Sequence, residues 1–577
     1  MGVQKNMKII VALSILALLL LLVSGKFRAS LLFGGVALLY YLLGYLDLKT
    51  FLGSYTSDSL VVLVLLLLVS IAVEKSAVMS YASKFIIGKS YYFSLFKLGV
   101  IVSAISAFLN NTAVVASFMG LIKNNKFQNP SKLLIPLSYF SIVGGTMTLI
   151  GTSTNLIVNS FVVQNGLESL KIFDFFAVGF CISLGVMVVL MLFSKLLPNH
   201  TTKEQEISEY LISAKVLPNS PLIGKSIEKN SLRKLEFLFL IEIIREGRSL
   251  SPVSPDEIIC KEDQLVFSGD VAHLETLKEF KGLEIGKQNP KIKDLKLVDV
   301  IITPNSNLIG KSVKEANFRT KFDAGIIALK KGSQNISKIG SSILSAGDRL
   351  ILSVGKDFKT RDNILKNFYI ISNINKLQKL NKTQSFFIVF GFLSVITLSA
   401  LGVFSLLKAL IVFLFVLLVF KFLKFDEIKR RFPLDIFIIV GSSLAITKVL
   451  VESGLAQDFA NLIISIFGQY GVYGSFIGIY LLTLLLTEMI TNNAAAALAF
   501  PIALATAQSL GVSPMPFIFA VAYGASCGFM MPHGYQTHLM VTSMCGYKTM
   551  DFVKIGFVVS LTYSIIALSL IPIFFSF

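Results

Sequence analysis

Apolar runs of bilayer length are the strongest constraint in this sequence. Lys8 to Val23 and Leu31 to Leu46 come first, Leu60 to Val73 follows, and others recur toward the C-terminus. In hydrocarbon the backbone amides and carbonyls find no water, so such runs commit to helices that satisfy those groups internally. The composition agrees, with 54% of the 577 residues hydrophobic and only 15% charged, far from a soluble globular chain. No A-x-A-like cleavage site follows the first run, and Lys26 and Arg28 come directly after it, so it reads as a membrane segment rather than a signal peptide. The expected class is a polytopic α-helical membrane protein.

A formal net charge of +19 does not make this a nucleic-acid-binding chain. From Pro198 to Thr383 there are 30 basic and 22 acidic residues, leaving 23 and 12 for the rest, so the excess is spread over both parts. In a membrane chain that pattern marks cytoplasmic loops. Cys181, Cys260, Cys527 and Cys545 show neither CxxC spacing nor a nearby His pattern, and so indicate no disulfide framework or zinc site.

Composition shifts abruptly at Leu197-Pro198 and again near Lys382; the stretch between reads as an α/β insert containing a repeat. "LPNSPLIGKSIEKN" from Leu217 is answered by "TPNSNLIGKSVKEA" from Thr303, and "KEDQLVFSGD" from Lys261 by "SAGDRLILSVG" from Ser345. Two copies of one small domain are expected, each with β-rich runs such as Phe237 to Ile244 and Ile326 to Leu329. The membrane part repeats as well. "AVEKSAVMSYASKFI" (Ala72 to Ile86) resembles "LVESGLAQDFANLI" (Leu450 to Ile463), and Asn110-Asn111 is matched by Asn492-Asn493. Each Asn pair is followed by a Gly/Thr-rich break, "GGTMTLIGTSTN" ending at Asn155 and "GASCGFMMPHGYQTH" ending at His538. The expected division is residues 1–197 and 384–577 for the two membrane halves, with 198–290 and 291–383 for the two copies in the insert.

Lysine placement predicts opposite orientations for the halves. Lys75, Lys84, Lys89, Lys97, Lys123, Lys126 and Lys132 flank the first Asn pair, whereas no Lys or Arg occurs from Val449 to Tyr547. By the positive-inside rule the first flanks are cytoplasmic and the second external, so the halves are inverted repeats, an arrangement secondary transporters use for alternating access. The cluster Lys421, Lys424, Lys429, Arg430 and Arg431 lies one two-helix excursion beyond Lys382, which makes the insert cytoplasmic. Five crossings per half then leave the N-terminus outside.

Four polar breaks interrupt apolar segments, and such breaks survive in lipid only where they line a cavity or bind something. Asn110-Asn111-Thr112 lies between Leu98 to Leu109 and Ala113 to Ile122, arms too short to span; Thr491-Asn492-Asn493 lies between Tyr480 to Ile490 and Ala494 to Ala505. Both predict re-entrant helical hairpins. Gly151 to Asn155 and Gly534 to His538 predict unwound centres of broken helices. Helices leaving the tips at Ala113 and Ala494 present free amides and a positive dipole end, which favours an anion. Carbonyls with Asn and Thr oxygens suit a hard monovalent cation such as Na⁺. Polar glue between helices accounts for one such cluster as well as binding does, but not for four in two matched pairs.

Tips and breaks together resemble those of the divalent anion/sodium symporters and the wider ion-transporter superfamily, across essentially all of the membrane part. That resemblance implies an elevator mechanism in a homodimer within the cell's inner membrane. It implies one Na⁺ site framed by Asn110, Asn111, Thr112, Gly151 and Asn155, a second framed by Thr491, Asn492, Asn493, Ala525 and Gly534, and an anion between the tips, near Thr537 and His538. Departures are clear: Asn110 stands where a Ser is usual, Ala494 follows Asn493 in place of Thr, neither break has Pro-Pro, and His538 replaces an Asn. "GYQTH" and the insert resemble sulfate-type permeases of bacteria and algae that carry paired TrkA-C domains, the C-terminal half of potassium-conductance regulators, which dimerise and bind small regulatory ligands.

Glu488, three residues before the second tip, is an ionisable group in an apolar segment, either a proton carrier or a partner of Lys448 or a neighbouring amide. His533 and His538 are candidates for pH sensitivity. Glu74 and Glu452 fall at equivalent helix ends, as interfacial, hinge or pairing groups. "GKS" at Gly88, Gly224 and Gly310 is no P-loop, because Ser83, Asn219 and Asn305 stand where its first Gly belongs. No ATP-driven motor or enzyme is expected. The expectation is Na⁺-coupled symport of a small inorganic oxyanion, sulfate foremost; proton coupling through Glu488 or His538, a dicarboxylate substrate, and a ligand-gated channel are the alternatives.

Overall fold

The computed structural model describes residues 2–24, 27–76, 86–200, 211–371 and 380–577, apart from short stretches inside 211–371, the longest at 270–274 and 287–296. Residues 77–85 of the Ala72 to Ile86 match, and the expected boundary at 290/291, lie outside the described residues.

Helices Gly2–Ser24, Ala29–Leu42, Leu48–Tyr55 and Asp58–Glu74 lead into a hairpin, Tyr91–Ser106 and Asn111–Lys123. An interrupted helix, Ser131–Gly145 and Ser153–Gln164, and then Phe176–Leu192 complete the first half. After the insert come Lys382–Ala400, Leu406–Val419, Phe425–Arg431, Leu434–Glu452 and Leu455–Phe467. A second hairpin, Gly471–Met489 and Asn492–Leu510, a second interrupted helix, Met515–Ala525 and Gln536–Cys545, and Thr549–Phe574 follow in the same order as before. The arms of this second hairpin are 19 residues each, long enough to span rather than too short as expected, because helix continues through Gly471, Gly474 and Gly478 on one side and Pro501 on the other. Among the described residues seven helices are long and apolar enough to cross a membrane. Leu13, Leu20, Phe390 and Phe415 are exposed on the perimeter, as lipid-facing side chains are, while Val69, Phe140 and Phe500 lie fully buried inside the bundle. Small residues let the helices touch: a Cβ on Gly144 would stand 2.5 Å from the Ser103 carbonyl oxygen, so here the interrupted helix crosses the hairpin backbone to backbone.

The helices leaving the tips begin two residues earlier than expected, at Asn111 and Asn492 rather than Ala113 and Ala494. The reason at the first tip is a cap: Asn110 Oδ1 accepts from the Thr112 amide at 2.9 Å, satisfying a donor that helix geometry leaves free. The unwound stretches are also displaced. They run over 146–152 and 526–535, and helix resumes at Ser153 and Gln536, so that Asn155 and His538 stand in first turns rather than in the unwound links. Thr152 makes the first of these caps, its Oγ1 accepting from the Thr154 amide at 3.4 Å.

The insert forms two antiparallel sheets. One contains β1 (Leu211–Val216), β2 (Leu238–Arg245), β3 (Arg248–Leu250), β4 (Gln264–Gly269) and β5 (Leu283–Gly286), in the order β3-β2-β4-β1-β5. The other contains β6 (Leu297–Ile302), β7 (Ala324–Lys331), β8 (Gln334–Ile336), β9 (Arg349–Val354) and β10 (Phe368–Ile370), in the matching order β8-β7-β9-β6-β10. Even the irregularity in register repeats, between Leu240 and Glu242 in one and between Ile326 and Ala328 in the other. Each sheet has its own apolar core, and the two meet through equivalent residues, Ile241 and Val266 against Ile327 and Ile351.

An exchange between the copies has a measurable consequence. In the first, Arg245 grips buried Asp263 through two bonds of 2.9 Å; in the second, Lys331 stands where Arg245 does and lies 3.7 Å from Asp348. Burial pushes the Asp348 carboxyl up to about 6, and the Ser345 amide and Lys331 offset only part of this. The folded state therefore favours the protonated form, and its stability declines as pH rises from the ordinary Asp value through about 6. Lys331→Arg is expected to raise the thermal midpoint of the insert at pH 7.5 and to raise it much less at pH 5, measured by calorimetry at both pH values.

Candidate functional site

The four breaks converge in pairs that cross between the halves. Thr112 at the first tip donates through Oγ1 to Gln536 Oε1 (3.3 Å) at the head of the second resumed helix. At the second tip Asn493 Oδ1 accepts from Ser153 Oγ (3.0 Å) and Thr154 Oγ1 (3.3 Å), and Asn492 Nδ2 donates to Thr154 Oγ1 at 2.7 Å. Each tip thus meets the interrupted helix of the other half. Four helix N-termini face one another in two polar pairs, Asn111 with Gln536 and Asn492 with Ser153. Their free amides and dipoles make both pairs electropositive, although none of the side chains joined there is cationic. Thr491 and Gln536 are exposed, Asn110, Thr112, Asn492 and Asn493 partly so, and Asn111 is buried with its Oδ1 accepting from Ser106 Oγ at 2.8 Å.

Oxygens crowd around Gly151. A Cβ there would lie 2.5 Å from the Gly145 carbonyl and 2.8 Å from the Ala107 carbonyl, and one on Gly145 would lie 2.6 Å from Asn111 Oδ1. Thr148 knits the same break, its hydroxyl donating to the Ala107 carbonyl and accepting from the Gly151 amide at 3.1 Å, while Asn155 Nδ2 donates to the Thr148 carbonyl at 2.9 Å. The Gly145 and Ala107 carbonyls thus flank Gly151, and Asn111 Oδ1 flanks Gly145, all neutral oxygens of the sort hard cations take. The second break is looser. The Thr487 carbonyl lies 3.6 Å from the Cβ positions of Gly528 and Gly534, Thr487 Oγ1 donates to the Ala525 carbonyl at 2.6 Å, and the buried hydroxyls of Ser526 and Thr537 have no hydrogen-bond partner among the described residues.

Glu488 lies at the edge of this second break. Its carboxylate accepts from three successive amides, Phe529 and Met530 at 3.1 Å and Met531 at 3.0 Å, so it fills the nest that an anion would otherwise occupy. Lys448 is elsewhere, bonded to Thr50 Oγ1 at 3.1 Å and 3.9 Å from Glu452. Glu74 pairs with Arg431 at 2.7 Å. His538 is fully buried, and both ring nitrogens are engaged: Nε2 with the Gly528 carbonyl at 3.0 Å and Nδ1 with Ser138 Oγ at 2.7 Å. A carbonyl only accepts, so Nε2 carries a proton, while the Ser138 hydroxyl can donate to Nδ1 or accept from it; the ring stands edge-on to Tyr139. His533 is exposed. Ser106, Thr148, Ser153, Thr154, Thr487 and Gln536 were not singled out from sequence, although all but Ser106 and Thr487 stand inside or beside the quoted breaks.

Paired hairpins whose tips meet the unwound helix centres of the opposite half define a multi-pass membrane transporter. The chain matches the citrate transporter (CitMHS) family over residues 7–524, and it belongs to that family. Among similar proteins, an uncharacterized transporter of Synechocystis is 28% identical over 90% of this chain and 89% of its own length. Sodium/sulfate cotransporter 1 of Chlamydomonas reinhardtii is 26% identical over 62% of this chain, a match that spans 42% of that longer protein. The crystal structure of the Alcanivorax borkumensis YdaH transporter aligns with 93% of this chain and 88% of its own, at 11% identity and a TM-score of 0.41.

Proposed function

We propose that the chain is a Na⁺-coupled symporter of a small divalent oxyanion, sulfate foremost, in which the hairpins and interrupted helices move as an elevator against the other helices. The pairing of helix N-termini across the two halves without a cationic side chain carries this reading, since it offers an anion both charge and donors that rearrange little. On this reading the anion lies between Asn110 to Thr112 and Thr491 to Asn493, with Thr537 and His538 behind it. One Na⁺ is held at Asn110, Asn111, Gly151 and Asn155, the other at Thr491, Asn493, Ala525 and Gly534. Crowded oxygens at Gly151 support the first Na⁺ site, and the partnerless Thr537 hydroxyl supports the second region. Similarity to a protein named for sodium and sulfate favours those two ions, while the family's description makes citrate the competing substrate.

The same reading takes 1–197 and 384–577 as inverted repeats, and 198–290 and 291–383 as TrkA-C-like domains on the cytoplasmic side of the inner membrane, in a homodimer regulated by a small ligand. Lysine placement supports that orientation. The ion pair of Lys8 with Asp458 at 2.5 Å supports an external N-terminus, because it ties the first helix to the stretch from Val449 to Tyr547 that has no Lys or Arg. Proteoliposomes test the function: labelled sulfate is expected to enter with an inward Na⁺ gradient, unlabelled citrate to compete poorly, and Asn111→Ala and Asn493→Ala each to lower uptake at least tenfold, on the order of 1.4 kcal/mol. Uptake that follows a pH gradient and ignores Na⁺ would overturn the coupling ion. Normal uptake by both Asn variants would overturn the site.

A further inference from the structure

The outer faces of the two sheets in the insert differ at the residues where they could touch something. Side chains alternate along a strand, so β6 turns Val298, Val300 and Ile302 into its own core and Asp299 and Ile301 away from it. Ile301 joins the core of the membrane bundle. In the first copy the positions matching Asp299, Ile301 and Arg349 hold Ser213, Lys215 and Gln264, and Lys215 is paired to Glu262 at the surface. Among the described residues, these positions give the second sheet a docking face that the first lacks.

That face meets the far ends of the two helices joined at the first tip. Asp299 receives Lys123 Nζ at 2.6 Å, from the last residue of Asn111–Lys123, and Arg349 through two bonds of 2.9 and 2.6 Å. Arg349 also donates to the Met544 carbonyl at 3.1 Å, capping the end of Gln536–Cys545, and the Ser543 hydroxyl donates to the Gly347 carbonyl. The Ile371 carbonyl lies so close to Gly120 that a Cβ there would stand 2.7 Å away. On the other side Tyr369 lies beside the Glu74–Arg431 pair, which joins helix Asp58–Glu74 to Phe425–Arg431. Burial alone would raise the Asp299 carboxyl, but Arg349 and Lys123 hold it below the usual carboxylate range. One sheet is therefore fastened both to helices that begin at the site and to helices that do not.

Resting on the transport reading above, we propose that the second sheet of the insert is a brake: by binding Lys123 and Met544 on one side and the Glu74–Arg431 region on the other, it holds the carrier in the arrangement described here. A contact that stabilises one state of a cycle slows departure from it, and the insert can set the rate by docking or releasing. Helices of 13 and 10 residues transmit this as rigid rods to Thr112 and Gln536.

The test uses the full chain in proteoliposomes. The sequence has no Trp, so Tyr369→Trp supplies a single emission signal for docking. In that background Asp299→Asn and Lys123→Ala are expected to shift emission to the red and to raise the initial rate of sulfate uptake several-fold, while Ser213→Ala and Gln264→Ala change neither. Red-shifted emission with an unchanged or lower rate would overturn the brake, as would unshifted emission in both variants. A second arm uses a crosslink: Gly347→Cys with Ser543→Cys, after replacement of the four native cysteines, is expected to stop uptake on oxidation and to recover it on reduction, the reduced protein serving as the folding control because Gly347 stands at φ +84°. Unaltered uptake by the oxidised, crosslinked protein would overturn the proposal. A parent chain that moves no oxyanion under any gradient would overturn the transport reading instead, and emission would still decide whether the sheet docks through Asp299.

Discussion

Gly151→Ala is expected to abolish Na⁺-driven uptake, lowering it at least ~100-fold, in a protein that remains folded and membrane-inserted. The added Cβ would stand 2.5 Å from the Gly145 carbonyl and 2.8 Å from the Ala107 carbonyl, closer than carbon and oxygen tolerate. One of those oxygens must then move, and both flank Gly151, one of the residues proposed to hold Na⁺. Gly151 lies in an unwound stretch, so the displacement is absorbed there without breaking a continuous helix. Gly35→Ala is the control, because nothing lies within 4 Å of that Cβ position. Uptake with and without a Na⁺ gradient, alongside size-exclusion profiles and thermal midpoints, checks the claim. Near-normal Na⁺-dependent uptake by Gly151→Ala would exclude this glycine from the cation site.

Glu488→Ala is expected to carry the largest stability loss of any single change in the second break, about 3 kcal/mol or more. Three amide donors would be left without their carboxylate. Glu488→Gln keeps an acceptor oxygen and should recover about half the loss, measured as thermal midpoints in detergent. The same pair decides the coupling mechanism. A Gln cannot carry a proton, so Na⁺-driven uptake that persists in Glu488→Gln supports an anchoring role, whereas its disappearance in a folded protein makes Glu488 a proton carrier.

Much of the site was legible because its signals are local. An Asn pair between two apolar arms, or Gly and Thr in the middle of a span, breaks a helix through its own backbone geometry and side-chain caps, and Asn110 and Thr152 do so here. Break limits were less legible. Asn111 and Ser153 sit inside first turns because capping draws the helix start toward the polar residues, which a count of apolar residues cannot register. Glu488 stood out as an ionisable group in lipid, but its partners are amides some 40 residues away in a stretch with no distinguishing side chain.

By itself, then, the sequence determined a helical membrane chain with two pairs of polar breaks and a repeated insert, since hydrophobic length, helix-breaking residues and internal repetition act through neighbouring residues. Tertiary structure alone decided that each tip meets the break of the opposite half, through contacts 340 residues apart for Ser153 and Asn493 and 424 for Thr112 and Gln536. It also decided that His538 is enclosed by Ser138 and the Gly528 carbonyl, and that Asp299 rather than its counterpart Ser213 faces Lys123. These outcomes depend on which surfaces pack together over long separations, and no local pattern of apolar and polar residues carries that information.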